Sequence, residues 1–172
     1  EKLVGRPGAA PIPLIVDEVF LDFPLAPHVH AKTFAARSAG LTFTLGGLSK
    51  SRGLPQLKLS WIVASGPSAE VAAALEVLEF IGDSYLSVGT PIQDALPEIL
   101  ERAAPVRDAI LARCRENLAL ARAIVQRVPA VELLEPGGGW SAVLRFPRVV
   151  AEEALVLELL ERRGVAVHPG YF

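Results

Sequence analysis

The first 64 residues contain three short apolar segments separated by polar or glycine-containing stretches. They cover residues 11–20, 41–45 and 59–64. Short apolar runs bounded by turn residues are typical of strands, and a run that is apolar nearly throughout predicts a strand buried on both faces. These segments therefore predict a sheet whose first strand carries Asp17 at its carboxyl end.

Helical spacing dominates the rest of the chain. After residue 67, apolar side chains recur at the i, i+4, i+7 spacing of a helix at Val71, Leu75 and Leu78, and this face is expected to pack on the sheet. Further helices are predicted over residues 92–101, 106–128 and 151–163, and short strands over residues 131–134, 140–146 and 165–167. The pattern favours an α/β region followed by a small α+β unit at the end of the chain.

Composition and charge exclude several classes of protein. The formal net charge of -2, from 17 basic and 19 acidic residues, gives no electrostatic footprint for nucleic acid. Although 51% of the residues are hydrophobic, no apolar run approaches the roughly 20 residues of a membrane span. Cys114 is the single cysteine, which excludes a disulfide within the chain. We expect a cytoplasmic protein that binds a small metabolite.

The most informative segment is residues 45–61, which place Lys50 in a small-residue loop between two predicted strands. A lone loop lysine is typical of a solvated surface. Desolvation near a buried sheet edge, however, shifts a lysine toward the neutral nucleophile that Schiff-base chemistry requires. Asp17, at the end of the first strand, could hold a pyridine nitrogen protonated, and Lys58 could supply positive charge to a phosphate.

The strand end at residues 16–20, together with the Ser-Lys and Gly-Leu-Pro of residues 48–61, resembles the class I/II aminotransferases of pyridoxal-phosphate fold type I. The resemblance implies part of the large domain over residues 1–104, with a mostly parallel sheet and helices, followed by most of an α+β small domain over residues 105–172. It also implies that Lys50 forms the Schiff base with pyridoxal 5'-phosphate and shuttles the proton at the substrate Cα. Asp17 would pair with the pyridinium nitrogen, and Lys58 would face the cofactor phosphate.

Three positions depart from the family pattern. Phe20 stands where many members have a tyrosine that reaches the cofactor, and Lys58 replaces the commoner arginine. Gly47 stands where many have a phosphate-binding serine, which leaves Ser49 or Ser51 as substitutes. The glycine-rich phosphate cup and the stacking aromatic of the family are not in this sequence, nor is its substrate-binding arginine. We therefore expect a piece of a longer polypeptide that is inactive alone.

The resemblance implies a parent enzyme that is a homodimeric aminotransferase, exchanging an amino group between an amino acid and a 2-oxo acid. A β-lyase of the same fold would use the same lysine and aspartate. The aminotransferase-like ligand domain of a transcriptional regulator is another alternative. A third is a packing module without activity, since a high apolar content favours association.

Other motifs have simpler interpretations. Lys50 follows glycines, but the spacing of a phosphate-binding P-loop is missing. His28 and His30 have no third ligand nearby and are interpreted as surface residues, so no metal site is predicted. Cys114 falls on a helical apolar stripe and is interpreted as an inert buried side chain. The glycines at 137–139 permit either a close approach to a ligand or a tight connection into Trp140.

Overall fold

The computed structural model describes residues 12–26 and 32–171. The chain divides into two compact units, the first formed by Glu1–Arg113 with Gly137–Trp140 and the second by Cys114–Pro136 with Ser141–Phe172. The segment Gly137–Trp140 thus belongs to the first unit although the chain on either side of it belongs to the second.

The elements follow one another in a mixed order of strands and helices. In chain order they are β1 (Leu14–Asp17), β2 (Thr42–Gly47), α1 (Leu48–Ser51), β3 (Ser60–Ser65), α2 (Ser68–Gly82), α3 (Thr90–Asp94), α4 (Leu96–Arg102), α5 (Ala104–Val125), β4 (Glu132–Leu134), β5 (Val143–Arg145) and α6 (Glu152–Arg163). A single 3-10 turn, Pro55–Leu57, precedes β3.

The sheet of the first unit has the order β1-β2-β3. β1 is parallel to β2, with Asp17 opposite Leu45, and β3 is antiparallel to β2, with Trp61 opposite Gly46. Because β1 and β2 run in the same direction, their carboxyl ends lie at one edge of the sheet. That edge carries Asp17 and the entry into α1.

The two faces of this sheet differ in an unexpected way. Thr42 and Thr44, which point to one face of β2, are 0% and 4% exposed. Ile15 and Ile62, on the opposite face, are 75% and 49% exposed. The expectation that the first strand is buried on both faces is therefore wrong for this chain, because the described residues leave Ile15 largely exposed. An open apolar sheet face is unusual for a protein surface and marks an interaction surface.

Several predicted bounds also change. The first strand ends at Asp17, because its Oδ1 accepts a hydrogen bond from the Val19 N–H at 3.0 Å and residues 19–22 form a turn. The helix predicted over 92–101 is divided into α3 and α4, with Pro97 in the first turn of α4. Residues 165–167 are not a strand.

The α2 helix packs less closely than its spacing indicates. Val71 and Leu78 are half-buried, but Leu75 is 50% exposed and none of the helix is fully buried. The helix begins at Ser68, so Pro67 is its N-cap residue rather than part of its first turn.

The second unit carries a partly buried apolar stripe on α5 and exposed ion pairs. Leu118 of α5 is 5% exposed, and Cys114 on the same stripe is half-buried. The Arg122 guanidinium donates hydrogen bonds to both carboxylate oxygens of Glu135, the shortest at 2.6 Å. These hydrogen bonds lower the pKa of Glu135 below its ordinary value, against a smaller opposing effect of desolvation. Over the part of the chain that the structure describes, no helix is long and apolar enough to cross a membrane.

Candidate functional site

Lys50 lies on a short helix whose position is set by its neighbours. Strand β2 passes directly into α1, a helix of 4 residues without a side-chain cap. Leu48 is fully buried, and its N–H donates to the Leu59 carbonyl at 3.0 Å. The Ser51 hydroxyl donates to the Gly47 carbonyl at 2.7 Å. A helix this short is not stable by itself, so the buried leucine and the hydrogen bonds to β2 and to the start of β3 fix the half-buried Lys50 at the edge of the sheet.

Asp17 lies at the same edge of the sheet as Lys50. It ends β1 opposite Leu45, two positions before the end of the parallel strand β2. Its carboxylate is exposed, and the hydrogen bond from the Val19 N–H holds one of its oxygens. The fold thus brings the predicted amine and carboxylate to one edge, while their roles toward a cofactor stay predictions.

The Lys50 amine lies beside one ring of an aromatic cluster. The Lys50 Nζ lies 5.5 Å from the ring centroid of Trp140. The Trp140 ring meets Phe20 edge to face at 5.6 Å and Phe23 at 5.3 Å between centroids. Phe23 is fully buried, and Phe20, the position where a tyrosine was expected, is 38% exposed. Trp140 was not predicted as a neighbour of Lys50, because the two are far apart in sequence.

The glycines at 137–139 explain how Trp140 reaches the lysine. The Gly139 N–H donates to the Phe23 carbonyl at 2.9 Å, and the Leu25 N–H donates to the Gly137 carbonyl at 3.0 Å. A Cβ at Gly138 would lie 2.7 Å from the Phe23 oxygen, and Gly139 has φ of +93°. Both of these positions require glycine. In this structure the glycines therefore let one backbone segment approach another.

Lys58 and Ser49, the two residues predicted to bind the phosphate, differ in their exposure. Lys58 is exposed and has φ of 52°, and the described residues include no other non-glycine residue with positive φ. Its N–H donates to the Pro55 carbonyl at 3.3 Å, which closes the 3-10 turn before β3. Ser49 is half-buried in α1, next to Lys50. The phosphate-binding roles of both residues remain predictions.

Arg52 is the charged residue of the site that sequence reasoning missed. Its Nη1 donates to Asp22 Oδ2 at 2.8 Å and to the Ser51 carbonyl at 2.7 Å, and its Nε donates to the Leu100 carbonyl at 3.2 Å. The Arg52 side chain is 13% exposed. One guanidinium thus joins the end of α1 to the turn after β1 and to α4, and holds the segment that carries Lys50.

His28 and His30 lie outside the described residues, so their interpretation as surface residues stays a prediction. Within the described ranges, no three His, Cys, Asp or Glu side chains lie together in a way that could hold a metal ion.

Comparisons with known proteins find relatives among the aminotransferases. The glutamate-pyruvate aminotransferase AlaA of Haemophilus influenzae is 25% identical over 91% of this chain and 40% of its own length. The arginine-pyruvate transaminase AruH of Pseudomonas aeruginosa is 32% identical over 77% of this chain and 33% of its own length. The chain thus spans about 40% or less of the length of these curated relatives.

One solved structure and one family model also match the chain. The crystal structure of the PLP-dependent cyclase OrfR superposes with a TM-score of 0.71 at 27% identity, over 92% of this chain and 42% of that chain. This similarity confirms the predicted α/β fold class. The family model for aminotransferase class I and II matches residues 1–172. The chain therefore belongs to the aminotransferase class I and II family.

Proposed function

We propose that this chain forms the lysine-bearing part of a pyridoxal-phosphate-dependent aminotransferase, in which Lys50 binds the cofactor covalently. The observation that carries the proposal is the placement of Lys50 and Asp17 at one edge of a parallel strand pair in a member of this family. Because the chain spans about 40% of its first relative, the activity is proposed for the longer protein.

The side chains at this edge fit pyridoxal phosphate in their chemistry. Lys50 offers an amine for the cofactor's aldehyde, and Asp17 offers a carboxylate for its pyridine nitrogen. Lys58 and Ser49 offer an ammonium and a hydroxyl for the phosphate. Phe20 offers no hydroxyl, so the hydrogen bond that a tyrosine would give to the ring oxygen is missing. The OrfR structure, described as PLP-dependent, and the family match support the same cofactor.

Each of these side chains then has a role in the proposed reaction. When bound, the cofactor supplies an electron-withdrawing ring that makes the proton on the substrate Cα acidic. Asp17 keeps the ring nitrogen protonated by pairing with its positive charge. Lys50, once its amine is free and neutral, would move the proton at the substrate Cα. Lys58 holds the phosphate as a point charge, without the two-pronged geometry of arginine.

The substrates follow from the reaction class. We propose an amino acid as donor and a 2-oxo acid as acceptor, and pyruvate is a reasonable first acceptor to test because AlaA and AruH are both named for it. A homodimer in the cytoplasm is proposed with it, on the resemblance alone.

A different reaction on the same fold is the second candidate. OrfR is described as a cyclase, so this fold supports pyridoxal-phosphate reactions other than amino transfer. A β-lyase would use Lys50 and Asp17 in the same way. Product analysis with cysteine-type substrates separates the two, since a lyase releases the β-substituent whereas an aminotransferase returns the matching 2-oxo acid.

The test of the proposed function uses the full-length protein. Wild-type protein mixed with pyridoxal phosphate is expected to develop the absorbance band of a lysine–cofactor Schiff base, and Lys50→Ala is expected to abolish it. Lys32→Ala is the matched control, because Lys32 is an exposed lysine outside the site. An equal band in the Lys50→Ala protein would overturn the proposal.

Whether the chain binds the cofactor alone is a separate question. Among the described residues β1 and β3 each pair only with β2, and the face carrying Ile15 is open. We propose that the isolated chain is inactive and that the remainder of the protein must cover these surfaces. Mixing the chain with the separately produced remainder is expected to restore cofactor binding. If binding does not increase, the packing-module alternative is favoured.

A further inference from the structure

We infer that the indole face of Trp140 is the resting surface for the ammonium group of Lys50 whenever that amine is not bonded to the cofactor. The inference rests on the role proposed for Lys50 and extends it to a residue with no assigned role. In this sense Trp140 is a positioning residue, because it acts on the reaction through Lys50.

The contact has the geometry of a cation–π interaction. A lysine ammonium within about 6 Å of an aromatic centroid is attracted by the negative face of the ring, and tryptophan is the most favourable ring. The 5.5 Å from Lys50 Nζ to the Trp140 centroid meets this criterion. Because Trp140 is 39% exposed, water still reaches part of the ring and the attraction is moderate rather than strong.

The ring is held in place independently of the lysine. Phe20 and Phe23 present their rings to Trp140 at interplanar angles of 71° and 78°, which is the favourable edge-to-face arrangement. The backbone before Trp140 is hydrogen-bonded to Phe23 through Gly139. Since Phe23 is fully buried, the indole packs against a buried support that does not depend on the lysine.

The contact between Trp140 and Lys50 is expected to weaken the binding of the cofactor. The ring face stabilises the free ammonium, and that attraction would be lost if the covalently linked nitrogen were neutral or lay farther from the ring. Trp140 therefore competes mildly with the cofactor for the amine, and it keeps the released amine at the sheet edge. Replacing the ring with leucine is expected to strengthen cofactor binding by about two- to fivefold.

The first test needs no cofactor. The chain has four lysines, at positions 2, 32, 50 and 58, so lysine-selective labelling gives a simple NMR spectrum that a Lys50→Arg variant assigns. The ring current of Trp140 is expected to shift the Lys50 ε-methylene protons upfield of those of the other lysines. Trp140→Leu should remove the shift, whereas Trp140→Phe should retain part of it. Trp61→Phe is the matched control and should leave it unchanged.

The wild-type spectrum decides the question even if Trp140→Leu does not fold. Lys50 ε-methylene protons at the same position as those of the exposed lysines would overturn the inference.

The second test uses the full-length protein and equilibrium dialysis with pyridoxal phosphate. Tighter binding in Trp140→Leu supports the inference, and unchanged or weaker binding overturns the competing role of Trp140. The two proposals fail separately. If wild-type protein forms no covalent link at Lys50, the proposed function fails while the upfield shift still reports on the contact.

Discussion

The ion pair between Arg52 and Asp22 is expected to stabilise the segment that carries Lys50, and its coupling free energy can be measured. The Arg52 guanidinium lies 2.8 Å from the Asp22 carboxylate and also binds two backbone carbonyls. Arg52→Met removes the charge and all of these hydrogen bonds while keeping an unbranched apolar chain. Asp22→Asn removes only the carboxylate charge. Together with the double variant, they form a double-mutant cycle that isolates the pair.

The expected coupling follows from the exposure of the two side chains. Arg52 is 13% exposed and Asp22 is 35% exposed, so the pair is neither buried nor fully solvated. Hydrogen bonds to charged groups contribute about 1.5–3 kcal/mol, whereas fully exposed pairs contribute about 0–1 kcal/mol. We expect a coupling free energy of about 1–2 kcal/mol, between these limits. Arg52→Met alone should cost more, on the order of 3 kcal/mol, because it also leaves the Leu100 and Ser51 carbonyls without this donor.

The assay is urea unfolding followed by tryptophan fluorescence. Trp61 and Trp140 both belong to the first unit, so the signal reports the unit that contains the ion pair. A coupling free energy below about 0.3 kcal/mol would be indistinguishable from independent sites. That result would refute the reasoning that this guanidinium holds α1 in place.

Three further predictions concern other parts of the chain. Gly138→Ala should destabilise the first unit by about 1–3 kcal/mol and shift Trp140 emission toward that of solvated indole, because the new Cβ would meet the Phe23 carbonyl at 2.7 Å; unchanged emission would contradict this. Since the pKa of Glu135 is lowered in the folded state, its pairing with Arg122 stabilises the second unit above the ordinary carboxyl pKa and is lost as the pH falls through the lowered value. The protection of the β4 amides from hydrogen exchange, relative to unstructured amides at the same pH, should therefore fall at acid pH in the wild type, and Glu135→Gln should flatten that dependence. Lys58→Ala should weaken the binding of pyridoxal phosphate to the full-length protein by roughly tenfold, as measured by equilibrium dialysis. Lys58→Arg should not weaken it. Equal affinity in the alanine variant would exclude a contact between Lys58 and the phosphate.

The order of elements could be predicted because it depends on local patterns. The periodicity of apolar residues located the three strands described in the first unit and the long helix α5, whose predicted start at residue 106 lies two residues after its observed start at Ala104. The small residues between two apolar runs predicted Lys50 in a loop between two strands; the structure has it between the strands β2 and β3, but on the short helix α1. Local sequence determines such features because strands and helices impose their own spacing on side chains.

The remaining features depend on contacts that are distant in sequence. Trp140 reaches Lys50 only because a glycine segment pairs with the backbone of Phe23, and no periodicity indicates that pairing. Arg52 lies two positions after Lys50 but finds Asp22 thirty positions away. The exposure of Ile15 could not be predicted either, since an apolar strand looks the same whether or not its covering layer is present.

The central claim is a covalent bond between one amine and one aldehyde, and reductive trapping tests it most directly. The full-length protein is loaded with pyridoxal phosphate, reduced with borohydride, digested and mapped by mass spectrometry, with Lys50→Arg as the matched control that keeps the positive charge. The account requires the phosphopyridoxyl label on Lys50 in the wild type and its absence from the control. A label on Lys58 or on another lysine, with Lys50 unmodified, would contradict the account.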